Sequence, residues 1–194
     1  MAQESKSDTN SDSNLILVGF MATGKSQVGR ILSQIAGWPF VDADDEIVRR
    51  SGRSIQRIFD ESGEAAFRDL ERLVVADLCA GRRRIIAAGG GAFIGADNQR
   101  LMLASGLVVC LSAAPETIHS RLGAAEGRVR PLLARGPAGD HSRESQIELI
   151  KGLLTQRAAA YTRAHYCVET DSLTPQQVAE RILEILISRG FSGG

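Results

Sequence analysis

"LVGFMATGKSQVGR", Leu17 to Arg30, sets a Gly-Lys-Ser turn between an apolar run and an amphipathic one. The chain uses lysine sparingly: of its 23 basic residues, only Lys6, Lys25 and Lys151 are lysine. Gly19, Gly24, Lys25 and Ser26 fit the pattern G-x-x-x-x-G-K-[ST]. "LILVGF" (Leu15 to Phe20) reads as a buried strand, and from Lys25 to Ala36 the apolar residues Val28, Ile31, Leu32 and Ile35 recur at helical spacing. Strand, glycine loop and helix in that order are the context in which the pattern carries a mechanism. Backbone N–H groups of the loop, from Ala22, Thr23 and Gly24 on to Gln27, join the helix N-terminus in a nest for phosphate oxygens. Lys25 supplies a compact charge for the β- and γ-phosphates, and Ser26 a hydroxyl for Mg²⁺.

Outward from this loop the composition is ordinary for a globular chain, with 194 residues, 43% hydrophobic and 24% charged. One domain is the default at this length. Acidic and basic residues balance to a formal charge of zero, which argues against a general nucleic-acid or anionic-membrane binder; anion binding must be local. Residues 1–13 are polar and rich in Ser, Asp and Asn, and are expected to form a disordered tail ahead of a domain over residues 14–190. No apolar run is long enough for a membrane span. Cys79, Cys110 and Cys167 lie far apart in sequence and read as buried, reduced thiols of a cytoplasmic protein.

Further strands are expected at "PFV" ending on Asp42, at Ile85 to Ala88, at Leu107 to Leu111 and near Cys167 to Glu169. Helices fill the intervals, among them Ser54 to Asp60 and Glu64 to Leu78 separated by Gly63, and a final one opened by Thr174, Pro175 and Gln177. Alternating strands and helices predict an α/β fold with a five-stranded parallel sheet covered by helices on both faces. Between Gly123 and Asp140 the periodicity dissolves into Gly, Arg, Pro and Ala, as expected of a mobile lid over about 123–140.

The acceptor side is less sharply written. Asp42 and Asp44 follow a strand, where open α/β sheets bind ligands, but they equally suit an acidic first helical turn. Arg68, with Glu64 and Glu71 a turn away on either side, reads as a surface ion-pair ladder or as a fork oriented for a carboxylate. Gly89, Gly90 and Gly91 follow a buried strand, and close backbone approach to a ligand would explain three consecutive glycines. In "GRVRPLLARGPAG" the arginines Arg128, Arg130 and Arg135 are candidates for an arginine supplied to a transferring phosphoryl group. The guanine motif N-K-x-D is absent, and a small-molecule kinase suits the chain better than a GTPase.

Taken in order, "GFMATGKS", "FVDADDEI", "FDESGEAAFRDLE", "AAGGGA", "RPLLA" and "QRAAAY" resemble the shikimate kinase family from Asn14 to Ile187. The resemblance implies a P-loop kinase fold. It implies transfer of the ATP γ-phosphate to the 3-hydroxyl of shikimate, a step of aromatic amino-acid biosynthesis. It also implies one Mg²⁺ held by Ser26 and, through water, by Asp42. Lys25, Asp44 and Arg130 would be catalytic, Arg130 from the lid. Asp44 would bind shikimate hydroxyls, Arg68 and Arg157 its carboxylate with Glu71 orienting Arg68, and Gly89, Gly90 and Gly91 would line the pocket beside Phe59 and Phe67. Pro175 would lie by adenine, as would Arg121 by its place in the pattern. Gln27 departs from the family, which favours a small hydroxyl residue there, and the Arg121–Arg130 segment is longer than usual. The expected partners are shikimate and ATP, without nucleic acid or membrane, and the expected state is a monomer. A kinase for another polyol acid such as gluconate, or a non-catalytic binder, would keep parts of this pattern.

Overall fold

The computed structural model describes residues 13–124 and 142–190. Its elements run β1 (Asn14–Val18), α1 (Lys25–Ala36), β2 (Phe40–Asp42), α2 (Ala43–Ser51), α3 (Ile55–Ala80), β3 (Ile85–Ala87), α4 (Ala96–Ser105), β4 (Gly106–Ser112), α5 (Pro115–Ala124), α6 (Arg143–Tyr161), β5 (Tyr166–Glu169) and α7 (Pro175–Ser188). The five strands form one parallel sheet in the order β2-β3-β1-β4-β5. Parallel neighbours need long crossovers, and helices supply them here, so both faces are covered.

Strand alternation divides the core. Ile16, Val18, Ile86, Val108 and Cys110 face the cluster built with α2, α3 and α4. Leu15, Leu17, Ile85, Val109 and Leu111 face the one built with α1 and α7. All five β1 residues are fully buried. Each such Leu or Ile contributes roughly 1.5–3 kcal/mol relative to exposure. A third cluster, Phe20, Met21, Ile118 and Ile150, joins α5 and α6 to the segment that leaves β1.

Local chemistry fixes the helix ends. Asp42 caps α2 by accepting from the Asp44 N–H, acids occupy the first turn, Arg49 and Arg50 the last, and Gly52 stops it at φ 65°. Thr174 and Gln177 form the expected capping box on α7 with Pro175 at its first position. Ser54 caps α3 and Ser142 caps α6. The two helices expected around Gly63 are the two halves of α3, parted by a kink where Gly63 leaves helical geometry at φ 79°. At the sheet edge a side chain completes the ladder. The Val108 N–H donates to His165 Nδ1 at 3.0 Å while the His165 N–H donates to the Val108 carbonyl. Burial, with the Arg189 charge nearby, lowers the imidazole pKa, which favours the neutral ring this bond requires.

The cysteines need one correction. Cys110 is buried and Cys79 half-buried, but Cys167 is exposed because β5 is an edge strand. Distant in sequence, Cys110 and Cys167 are register partners across β4 and β5. The expected tail falls almost wholly outside the described residues, as do Arg128, Arg130, Arg135 and nearly all of the expected lid. Among the described residues no helix is long and apolar enough to cross a membrane.

Candidate active site

The register brings three strand ends together: Leu17 lies opposite Ala87, and Asp42 opposite Ala87 from the other side. The segments that follow, Gly19–Lys25 after β1, Asp44 after β2 and Gly89–Gly91 after β3, therefore converge at one edge of the sheet, where open α/β sheets place their sites. A cleft of about 790 Å³ opens there. Gly24, Lys25, Ser26, Asp42, Asp44 and Gly90 lie on its walls.

The loop itself is strained and closely fitted. Gly19 sits at φ 131°, and a Cβ there would stand 2.2 Å from the Leu111 carbonyl oxygen. Gly24 is left-handed at φ 96°, and Ala22 adopts φ 59°, which costs a non-glycine residue roughly 1–2 kcal/mol. The Thr23 hydroxyl braces the turn by donating to the Phe20 carbonyl at 2.8 Å. Lys25 Nζ donates to the carbonyls of Gly19 and Phe20 at 2.9 and 2.8 Å. Unlike α2, α3, α6 and α7, helix α1 has no side-chain cap, and its first turn holds no acid. Its first N–H groups and the positive end of its dipole thus remain for an anion.

Beside it, Ser26 Oγ donates to Asp42 Oδ2 at 2.5 Å, while Asp42 Oδ1 accepts from the Asp44 N–H at 3.0 Å. A hydroxyl and a carboxylate in contact are the hard oxygen donors that suit Mg²⁺, which takes one or two protein oxygens and completes its shell with water and phosphate. These acids open α2, and Asp42 and Asp44 also line the cleft.

Arg68 is held between two acids of its own helix. It bonds Glu64 at 3.2 Å on the surface side and Glu71 at 2.8 Å on the inner side, where Glu71 is only 3% exposed. Burial pushes the Glu71 carboxyl up from its usual range against the lowering effect of Arg68, and the charges of Asp44 and Glu64 add to the rise. A folded-state value above the unfolded one means that Glu71 contributes most stability at low pH and loses it as pH rises through the folded value. Glu71→Gln should therefore flatten the fall in stability above about pH 4.5, read by denaturant unfolding across pH. It should also loosen the Arg68 fork and weaken binding of a carboxylate ligand about tenfold, read by calorimetry.

The triglycine loop is packed from both sides. A Cβ on Gly89 would come within 2.7 Å of Asp44 Oδ1 and 3.2 Å of Glu71 Oε1, and one on Gly91 within 2.8 Å of Arg68 Nη1. The Gly90 carbonyl accepts from Arg157 Nη1 at 3.0 Å. Arg157 is 7% exposed and lies over the Phe20 ring, 5.0 Å from its centroid. Phe59 and Phe67 stack at 4.8 Å with Arg68 over the Phe67 ring. The two arginines thus reach one glycine loop from different helices, α3 and α6.

Pro175 and Arg121 also line the cleft. Arg121 donates to the Thr170 hydroxyl at 2.9 Å and to the Thr170 carbonyl at 2.6 Å. The longer segment after Arg121 therefore does not remove it from this wall. Sequence reasoning did not single out Thr170, nor did it anticipate that the Tyr161 hydroxyl would reach Gly90.

A family model described as shikimate kinase matches residues 21–187. A shikimate kinase of Thermodesulfovibrio yellowstonii is 36% identical over 171 residues, 88% of this chain and 93% of that one. One from Thermus thermophilus is 40% identical over 170 residues, 88% of each chain. Among solved structures, a shikimate kinase from Acinetobacter baumannii in complex with shikimate superposes with a TM-score of 0.82 at 32% identity, covering 93% of this chain and 96% of that one.

Proposed function

This chain belongs to the shikimate kinase family, and we propose that it transfers the γ-phosphate of ATP to the 3-hydroxyl of shikimate, giving shikimate 3-phosphate and ADP. The observation that carries the reading is the cleft in which a phosphate loop with an uncapped helix faces Asp44 and a glycine loop bonded by Arg157 and packed against Arg68.

Phosphoryl transfer passes through a loose transition state, so the protein's work is positioning and charge stabilisation. Loop N–H groups of Ala22, Thr23, Gly24 and Gln27 cradle the nucleotide phosphates, with Pro175 beside the base. Lys25 turns its ammonium from the loop carbonyls onto the transferring group. Ser26 and Asp42 would hold Mg²⁺, which supplies charge neutralisation at the phosphates when bound. Asp44 accepts a hydrogen bond from the attacking hydroxyl and orients it in line. Arg68, steadied by Glu71, and Arg157 clamp the carboxylate over Gly89, Gly90 and Gly91, and the Phe59–Phe67 pair closes the apolar side of the ring. Arg130, outside the described residues, belongs in this scheme as the arginine delivered to the transition state. We place the enzyme in the cytoplasm as a monomer.

The test is ADP release with Mg²⁺-ATP and, in turn, shikimate, quinate, gluconate or no acceptor. Shikimate-dependent release with the 3-phosphate as product is expected. Turnover with gluconate alone would move the substrate to another polyol acid, and shikimate binding without turnover would leave a non-catalytic binder.

A further inference from the structure

Helix α6 presents Arg157 and Tyr161 four residues apart, hence on one face, and both side chains end on the same atom. The Gly90 carbonyl oxygen accepts from Tyr161 Oη at 2.7 Å as well as from Arg157 Nη1 at 3.0 Å. A carbonyl oxygen has two lone pairs, and here both are used. Gly90 is the point where the acceptor loop meets the phosphate loop: a Cβ built on it would lie 3.4 Å from the Met21 nitrogen and 3.7 Å from the Gly19 carbonyl oxygen. The end of α6 is tied to the segment after that loop a second time, through Gln99, whose Nε2 donates to the carbonyls of Phe93 and Ala160.

These two donors have different tasks. Arg157 has further N–H groups and is the one that a carboxylate ligand would draw. When it gives its bond to that ligand, the partly buried Gly90 carbonyl keeps a partner only through the phenol. We propose that Tyr161 is a positioning residue for the acceptor, holding the Gly90 carbonyl, and with it the Gly89–Gly91 loop, so that Arg157 is released to the acceptor's carboxylate. Burial pushes the phenol pKa up to about 12, so it stays a donor throughout the neutral range. The role rests on the proposed assignment of Arg157 to the shikimate carboxylate.

The experiment uses the full chain and Tyr161→Phe, which keeps the ring and removes one hydroxyl. Shikimate affinity is measured by calorimetry without nucleotide, and KM for shikimate and for ATP by ADP release. The expected result is a rise of about tenfold in the Kd and KM for shikimate, with the loss falling on these rather than on kcat or on KM for ATP. In an Arg157→Ala background, Tyr161→Phe should add little further loss, since its effect runs through Arg157. A lower melting temperature with unchanged shikimate Kd would overturn the proposal and leave Tyr161 merely structural. So would two losses that simply add. Wild-type protein that fails to bind shikimate at all would instead overturn the substrate reading, and this role with it.

Discussion

Lys25→Met is expected to lower kcat by at least about 10²–10³-fold, the scale set by removing one preorganised donor from a developing charge. The methionine keeps most of the unbranched stem and removes only the ammonium. Two effects follow from the geometry. In the proposed scheme the transferring phosphoryl group loses a preorganised cation, and the carbonyls of Gly19 and Phe20 lose a donor that braces the loop. The second effect is local, because the loop retains the Thr23 bond and the tight fit of Gly19 on Leu111. Shikimate binding measured by calorimetry should therefore survive while ADP release collapses. Loss of both together would mean that the lysine holds the whole site open and is not specific to the phosphates.

Asp44→Asn is the second large effect, with kcat reduced about 10²–10⁴-fold. The amide is nearly isosteric and keeps its place in the first turn of α2, where the Asp44 N–H still reaches Asp42. What it lacks is a full negative charge to accept the hydroxyl's hydrogen bond and align its lone pair with phosphorus. Asp44 Oδ1 stands 2.7 Å from where a Gly89 Cβ would be, so the asparagine remains against the glycine loop and KM for ATP should change little. Rapid single-turnover measurements separate this loss of chemistry from slower product release. An Asp44→Asn enzyme with ordinary kcat and only weaker shikimate binding would assign the carboxylate to recognition alone.

The sheet was legible because strand and helix periods alternate cleanly and because helix stops are written in glycine. Gly37 and Gly52 end their helices in left-handed geometry. The kink of α3 at Gly63 was legible for the same reason, since the glycine takes a positive φ of 79° between the two helical halves. At the site, the phosphate loop could be read from spacing alone. The acceptor side could not, because each of its residues also makes sense as surface chemistry. Arg68 illustrates this: only the folded chain distinguishes an exposed Glu64 from a buried Glu71 as its partner. The Tyr161–Gly90 bond spans 71 residues and leaves no periodic trace. Cys167 was misjudged because its neighbours Tyr166 and Val168 turn inward while it faces out from an edge strand.

The burial of β1 separates the two halves of the cleft in kind. Lys25 closes the loop that leaves β1, a central strand buried along its whole length and flanked by partners on both sides, a setting that β3 shares. Arg68 hangs from a helix that is half open to solvent and interrupted at Gly63. Local openings of a folded chain begin where few apolar contacts hold the backbone and reach the central strands only with global unfolding. The nucleotide end therefore sits at the rigid extreme of that hierarchy, and the Arg68 wall of the acceptor end nearer the soft one. Fluctuations of the native protein will loosen its choice of alcohol before its grip on phosphate.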